Sequence, residues 1–195
     1  MDYSLSGLIV RTLDGKTNSN TFIGPYDANA LFTTFDADSK LLDLTMTPDV
    51  KSYLPPMFEM GNAKQFLSQA PGLIENGKLI TYVERIQGYP VGMIFLTPPS
   101  TNRLNRKSAI WDISFFVMET FRRKGYMGIA LGRMLMIAKQ NIGIDKLYAF
   151  VDNTNYAAKD LLEKYAFDRQ PYMDQAGQGK VAYCCNLAML QFRHA

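Results

Sequence analysis

The segment Phe116-Val117-Met118-Glu119-Thr120-Phe121-Arg122-Arg123-Lys124-Gly125-Tyr126-Met127-Gly128 decides how this chain is read. It leaves a β-rich run at 108–118 (SAIWDISFFVM), turns through three successive cations and enters a long apolar-striped stretch at Gly125. The first N–H groups of a helix have no partners within it and carry partial positive charge. A helix opened by glycine behind Arg122, Arg123 and Lys124 thus offers backbone donors, close approach and positive charge to an anion. A pyrophosphate-containing ligand suits that combination. The competing reading is a plain helix start with solvated basic residues. A nucleotide P-loop is excluded, because GxxxxGK followed by Ser or Thr does not occur, and the spacing Gly125, Gly128, Gly132 is not the dinucleotide pattern GxGxxG.

Working outward, apolar residues at 127, 131, 134, 135, 138 and 142 form a helical stripe, and Gly143 stops it. Residues 146–151 read as a strand, 155–165 as a helix and 181–190 as a final strand. Upstream, 78–86 (KLITYVERI) and 91–96 (VGMIFL) form a hairpin through a turn at 87–90, and 98–107 is a polar loop. Nearer the start, 7–13 reads as a first strand and 14–20 as a loop. Pro25-Tyr26-Asp27 opens a helical stretch with Ala30, Leu31 and Phe35 on one face. Residues 36–54 have no single reading; Pro48 marks a helix start and Pro55-Pro56 an end. Helical spacing returns at 62–74 with Phe66, Leu67 and Leu73. Helices, then a β-β-β meander, then strand-helix-strand-helix-strand predict an α/β (α+β) domain, antiparallel early with a parallel crossover later.

The chain has 195 residues, 47% hydrophobic and 20% charged, enough to bury a core as one domain, 1–195. A formal net charge of +3 suits an anionic ligand but falls short of a nucleic-acid binder. Cys184 and Cys185 are adjacent and alternate faces in a strand, so a mutual disulfide is not expected. Reduced thiols, a start without a secretory pattern and no apolar run near ~20 residues lead to a cytoplasmic expectation with no membrane partner. The single histidine, His194, sits near the end, and no Cys/His set has zinc spacing, so neither a metal nor a triad hydrolase is expected.

The opening segment resembles the GNAT superfamily of acetyl-CoA-dependent acyltransferases, whose signature is a strand ending in Val followed by Q/R-x-x-G-x-G/A opening a helix. Here Val117 is followed by Arg122-Arg123-Lys124-Gly125-Tyr126-Met127. A second family pattern, N-x-x-A-x-x-L-Y-x-x-x-G-F, is matched by 155–167 from Asn155 to Phe167. The order of strands and helices is similar across 78–190. The resemblance implies a mixed central sheet of about six to seven strands with helices on both faces. The helical segment 25–75 would form an acceptor-side wall, and 78–190 the cofactor-binding core. It implies acetyl-CoA as cosubstrate and an amine acceptor, either a small molecule or a protein N-terminus or lysine; a homodimer is compatible with it. Phe116, Val117 and Met118 would pair with the pantetheine amides. Arg122, Arg123, Lys124, Gly125, Tyr126, Met127, Gly128 and Ile129 would hold the pyrophosphate, and Asn155 would contact the pantetheine arm or help place the thioester. Three positions depart from the pattern: Met127 replaces a small residue, Ala166 a glycine, and Leu162 the tyrosine that many relatives use to protonate the thiolate.

Acyl transfer needs a deprotonated amine, and the family often uses a carboxylate on the strand before the loop. Asp112 lies on that strand among apolar residues, sharing a face with Ser114 and Phe116, and Glu84 on a neighbouring strand is its equal rival. For either, a structural hydrogen-bonded role competes. Tyr156, Tyr165, Tyr172 and Tyr183 are acid candidates by proximity in sequence. A cysteine nucleophile lacks a histidine to activate it. The expected function is N-acetyl transfer by direct attack; the alternative is a coenzyme A-binding regulatory module that has lost turnover.

Overall fold

The computed structural model describes residues 21–25, 72–73, 78–86, 89–98 and 110–191. The strand expected at 7–13, the ambiguous segment 36–54 and the acceptor-side helices lie outside these, except that Gly72 and Leu73 are helical. The strands are β1 Thr21–Pro25, β2 Ile80–Ile86, β3 Tyr89–Thr97, β4 Ile110–Val117, β5 Lys146–Asp152, β6 Asp168–Arg169 and β7 Lys180–Asn186. Among the described residues the longer helices are α1 Tyr126–Ile137, continued by a π-helical turn Ala138–Ile142, and α2 Tyr156–Lys164. The seven strands are hydrogen-bonded in the order β1-β2-β3-β4-β5-β7-β6, a mixed sheet.

β1 corrects one expectation. Pro25 ends a strand that pairs antiparallel with β2, Thr21 opposite Ile86 and Pro25 opposite Tyr82, instead of opening a helix. Proline is tolerated there because β1 stands at an end of the strand order. Pro90, expected in a turn, likewise lies in β3, next to that strand's first residue.

The chain divides into two compact units, residues 1–95 with 115–130, and 96–114 with 131–195. In the first unit β2 and β3 are neighbours separated by two residues, and so short a connection permits only an antiparallel hairpin. Thr81 Oγ1 on β2 donates to the Ile94 carbonyl of β3 at 3.2 Å. Beyond β3, Met118 donates its N–H to the Val91 carbonyl at 2.8 Å. Phe95 and Phe116 stack with centroids 5.8 Å apart.

In the second unit β4 and β5 run parallel, with Ile110, Trp111 and Asp112 opposite Lys146, Leu147 and Tyr148, and the ladder ends there. β5 pairs along its whole length with β7, from Lys146–Asn186 to Asp152–Lys180. Leu147, Ala149 and Val151 are buried in alternation on β5. The final apolar run is not all strand. β7 ends at Asn186 and Leu187–Met189 form a 3₁₀ turn, with the Leu187 N–H donated to Asp145. The π-helical turn closes on Gly143, left-handed at φ 75°, as a C-terminal glycine requires. Lys139 on that turn donates to the carbonyls of Ala188 and Leu190, tying down the C-terminal segment. Arg169 meets both carboxylate oxygens of Asp174, which also accepts from the Ala182 N–H.

Candidate functional site

The loop after β4 is shaped residue by residue. Glu119–Phe121 make a 3₁₀ turn, closed by Phe121 N–H to Met118 and Arg122 N–H to Glu119. Arg123 and Gly125 then both take positive φ, 59° and 84°. For Gly125 that conformation is unstrained, and a Cβ placed there would meet nothing within 4 Å. Arg123 pays the steric cost of a left-handed L-residue, which a loop built to turn its amides inward imposes. The first amide of α1 to close a ladder bond is that of Ile129, donating to Gly125 at 3.2 Å. The amides of Tyr126, Met127 and Gly128 reach no carbonyl of the described backbone.

Charge and aromatic rings frame these amides. Arg122, Arg123 and Lys124 are all exposed. Lys124 Nζ sits 5.3 Å over the Phe121 ring, and that ring packs against Tyr126 at 6.0 Å, so the two aromatics bracket the loop. Phe121 was not singled out in the sequence, where it looks like one more aromatic beside a turn. Free amides, open space at Gly125 and three cations fit a pyrophosphate group.

Met127 does not crowd that space. It is buried, and its Cε lies 3.2 Å from where a Cβ on Gly92 would stand. The same Cβ would lie 2.7 Å from the Phe116 carbonyl, so Gly92 lets the end of β4 and α1 close on β3. A glycine inside the strand pattern VGMIFL was the signal for this close approach.

Of the three strand residues expected to pair with a ligand, Met118 already gives its N–H to Val91. Successive residues direct their polar groups to opposite edges, so those of Val117 point away from β3. The Val117 carbonyl meets the Arg122 side chain, whose Nε is 3.4 Å away.

Glu84 differs from every other acid described. It is 1% exposed, and both carboxylate oxygens are buried without any hydrogen-bond partner. Burial pushes its pKa up to about 7. Asp112, its rival, is only half-buried and is not without a partner.

In the second unit Asn155 caps α2, its Oδ1 accepting from the Ala158 N–H at 3.2 Å, which leaves its side-chain NH₂ as a donor. Before it, Asp152 accepts from the Thr154 amide and hydroxyl, and these bonds hold its carboxyl below the usual range. Leu162, where relatives carry tyrosine, is fully buried. Among the tyrosines, Tyr156 and Tyr172 are exposed, Tyr165 is half-buried, and Tyr183 is buried with its hydroxyl donated to Glu163 at 3.0 Å. Burial, then the Glu163 hydrogen bond, raises the Tyr183 pKa. Cys184 and Cys185 are free and buried, and burial pushes the Cys185 thiol up to about 12, far from a nucleophile's range. Among the described residues no helix is long and apolar enough to cross a membrane, and no three His, Cys, Asp or Glu side chains cluster as metal ligands.

Residues 29–168 match the acetyltransferase (GNAT) domain family. No curated protein matches the sequence significantly. Among solved structures the chain is similar to Mycobacterium smegmatis RimJ in complex with a CoA-disulfide, with a TM-score of 0.68 and 14% identity over 88% of this chain and 84% of that one. It is also similar to RimL, a ribosomal L7/L12 alpha-N-protein acetyltransferase in complex with coenzyme A, with a TM-score of 0.67 and 13% identity over 87% and 95%. A spermidine N-acetyltransferase chimera from Vibrio cholerae and hSSAT gives a TM-score of 0.63 and 13% identity over 87% and 97%. At such identities the likeness is one of fold.

Proposed function

The chain belongs to the GNAT acetyltransferase family, and from that premise we propose that it transfers an acetyl group from acetyl-CoA to a primary amine by direct attack. The observation that carries this reading is the loop Arg122–Ile129, with its two positive-φ residues, unpaired amides and three exposed cations. The loop amides and cations hold the pyrophosphate, because a doubly charged group gains most where N–H donors are already oriented and need no reorganisation. The outward polar groups of Val117 take the pantetheine arm as a short added strand, with Arg122 released from the Val117 carbonyl towards the phosphates. The relatives act on a ribosomal protein in one case and on spermidine in another, which supports an amine acceptor without choosing its size.

Thermal shift tests the cosubstrate. Coenzyme A and acetyl-CoA at millimolar concentration should raise the melting temperature of the wild type, and Gly125→Asp should abolish the rise by setting a carboxylate against the phosphates. No shift in the wild type would refute the reading. Thiol release across an amine panel tests the chemistry. Binding without turnover on any amine would favour the regulatory module, in line with Leu162 being buried where a tyrosine would act.

A further inference from the structure

Two of the loop's cations are engaged, in different ways. Lys124 lies over the Phe121 ring, while Arg122 reaches back along its own chain to the Val117 carbonyl, Nε to oxygen 3.4 Å. The 3₁₀ turn Glu119–Phe121 makes that reach possible, because it folds the chain back on the end of β4. The guanidinium is exposed, and among the described residues no carboxylate pairs with it. Its hold on Val117 is therefore a single bond, and a long one.

The carbonyl it holds is the one an added strand would use. Met118 turns its N–H to Val91, so the polar groups of Val117 face the other edge. An extended amide arm laid on that edge takes its main-chain bond from Val117. Paired chains lie only ~4.8 Å apart, so the arm must share the oxygen with Arg122 or displace it. A phosphate oxygen offers the guanidinium a charge-assisted bond, roughly twice as strong as one to a neutral acceptor. Displacement is then favourable for a ligand that brings phosphates to the loop and unfavourable for one that brings none.

We propose that Arg122 is a latch on this edge, selecting thioesters that carry a pyrophosphate over the same thioester on bare pantetheine. The proposal rests on the acetyltransferase reading above. In the free protein the side chain covers the Val117 carbonyl. In the complex it turns to the pyrophosphate, and an amide N–H of the arm takes its place. One side chain cannot hold both partners, so phosphate binding and arm docking favour each other by linkage. A pantetheine thioester has to open the latch with nothing to offer the guanidinium in exchange. Arg122 thus works against the wrong ligand as well as for the right one.

The experiment titrates acetyl-CoA and S-acetylpantetheine into the wild type, Arg122→Ala and Arg122→Gln, reading dissociation constants from thermal shifts at constant ionic strength. Arg122→Ala should weaken acetyl-CoA by about tenfold, the loss of one charge-assisted contact. The same variant should bind S-acetylpantetheine about two- to fivefold more tightly than wild type, the worth of one weak exposed bond. That pair of opposite signs is what a residue serving the phosphates alone would not produce. Glutamine carries its side-chain nitrogen as many bonds from Cα as the arginine Nε, so Arg122→Gln keeps the bond to Val117 and loses the charge. It should weaken acetyl-CoA as alanine does, without the gain for S-acetylpantetheine, and it covers the case in which the alanine protein fails to fold. An Arg122→Ala protein that binds S-acetylpantetheine no better than wild type, including no measurable binding by either, overturns the proposal; so does an equal gain in Arg122→Gln. Absence of acetyl-CoA binding in the wild type overturns the acetyltransferase reading itself and the proposal with it.

Discussion

Replacing Ala166 by glycine should stabilise this protein. Helix α2 ends in a Schellman arrangement: Phe167 N–H bonds back to Leu162, Ala166 N–H to Glu163, and both Phe167 and Leu162 are buried. The arrangement needs a left-handed residue where Ala166 stands, and its φ is 61°. An L-residue in that conformation costs roughly 1–2 kcal/mol, which glycine avoids. Glycine's greater freedom in the unfolded chain returns about 0.4–1 kcal/mol of that gain. The net is about 0.5–1 kcal/mol in favour of glycine, or roughly 1–4 °C in melting temperature for a chain of this length. Melting curves of wild type, Ala166→Gly and Ala166→Val should rank Gly above Ala and Ala above Val, since a β-branched side chain is worst at positive φ. A melting temperature for Ala166→Gly equal to or below that of wild type would refute the account of strain.

Gly92→Ala should destabilise by about 1–3 kcal/mol, because the added Cβ would stand 2.7 Å from the Phe116 carbonyl; urea unfolding checks it. Glu84→Gln should make stability less sensitive to pH. The folded pKa of Glu84, about 7, lies above the 4.5 of the free group, so the wild type loses stability as pH rises from about 4.5 through 7 and levels off above. A shift of that size corresponds to about 3 kcal/mol, so urea titrations at pH 5 and pH 8 should show the Gln variant gaining on wild type at the higher pH, and an equal difference at both would contradict the assignment. Gly125→Ala meets no neighbour, and its cost comes from positive φ alone, so the variant should fold with roughly 1–2 kcal/mol less stability and weaker coenzyme A binding by calorimetry.

The shape of the candidate loop was legible because its signals are local. Three cations, a glycine and an apolar stripe fall within one strand–helix junction, and Gly143 marks the end of the helix. What could not be read depends on partners far along the chain. Thr21–Pro25 is five residues with a glycine and a proline, and becomes a strand only because β2 is beside it. Met127 could be assigned to the core only once Gly92, thirty-five positions earlier, was seen to leave room for it. Asp112 and Glu84 were equal in sequence, since each is an acid on one of two neighbouring expected strands. Burial and the absence of any partner separate them, and those are properties of packing, not of spacing. The break at Asn186 was hidden for a similar reason: Leu187 continues the apolar run, and only its bond to Asp145 shows that the strand has ended.

The two thiols of β7 give the molecule a built-in clock. Cys184 and Cys185 are neighbours on a strand flanked by β5 and β6, both are buried, and burial raises both pKa values. A labelling reagent needs an exposed thiolate, so it can react only when this part of the sheet opens. Where reclosing outpaces labelling, the rate of modification reports the free energy of that opening; where labelling is faster, it reports the opening rate itself. A dose series of a thiol reagent, with and without a bound ligand, would therefore time the sheet from within, with no added probe.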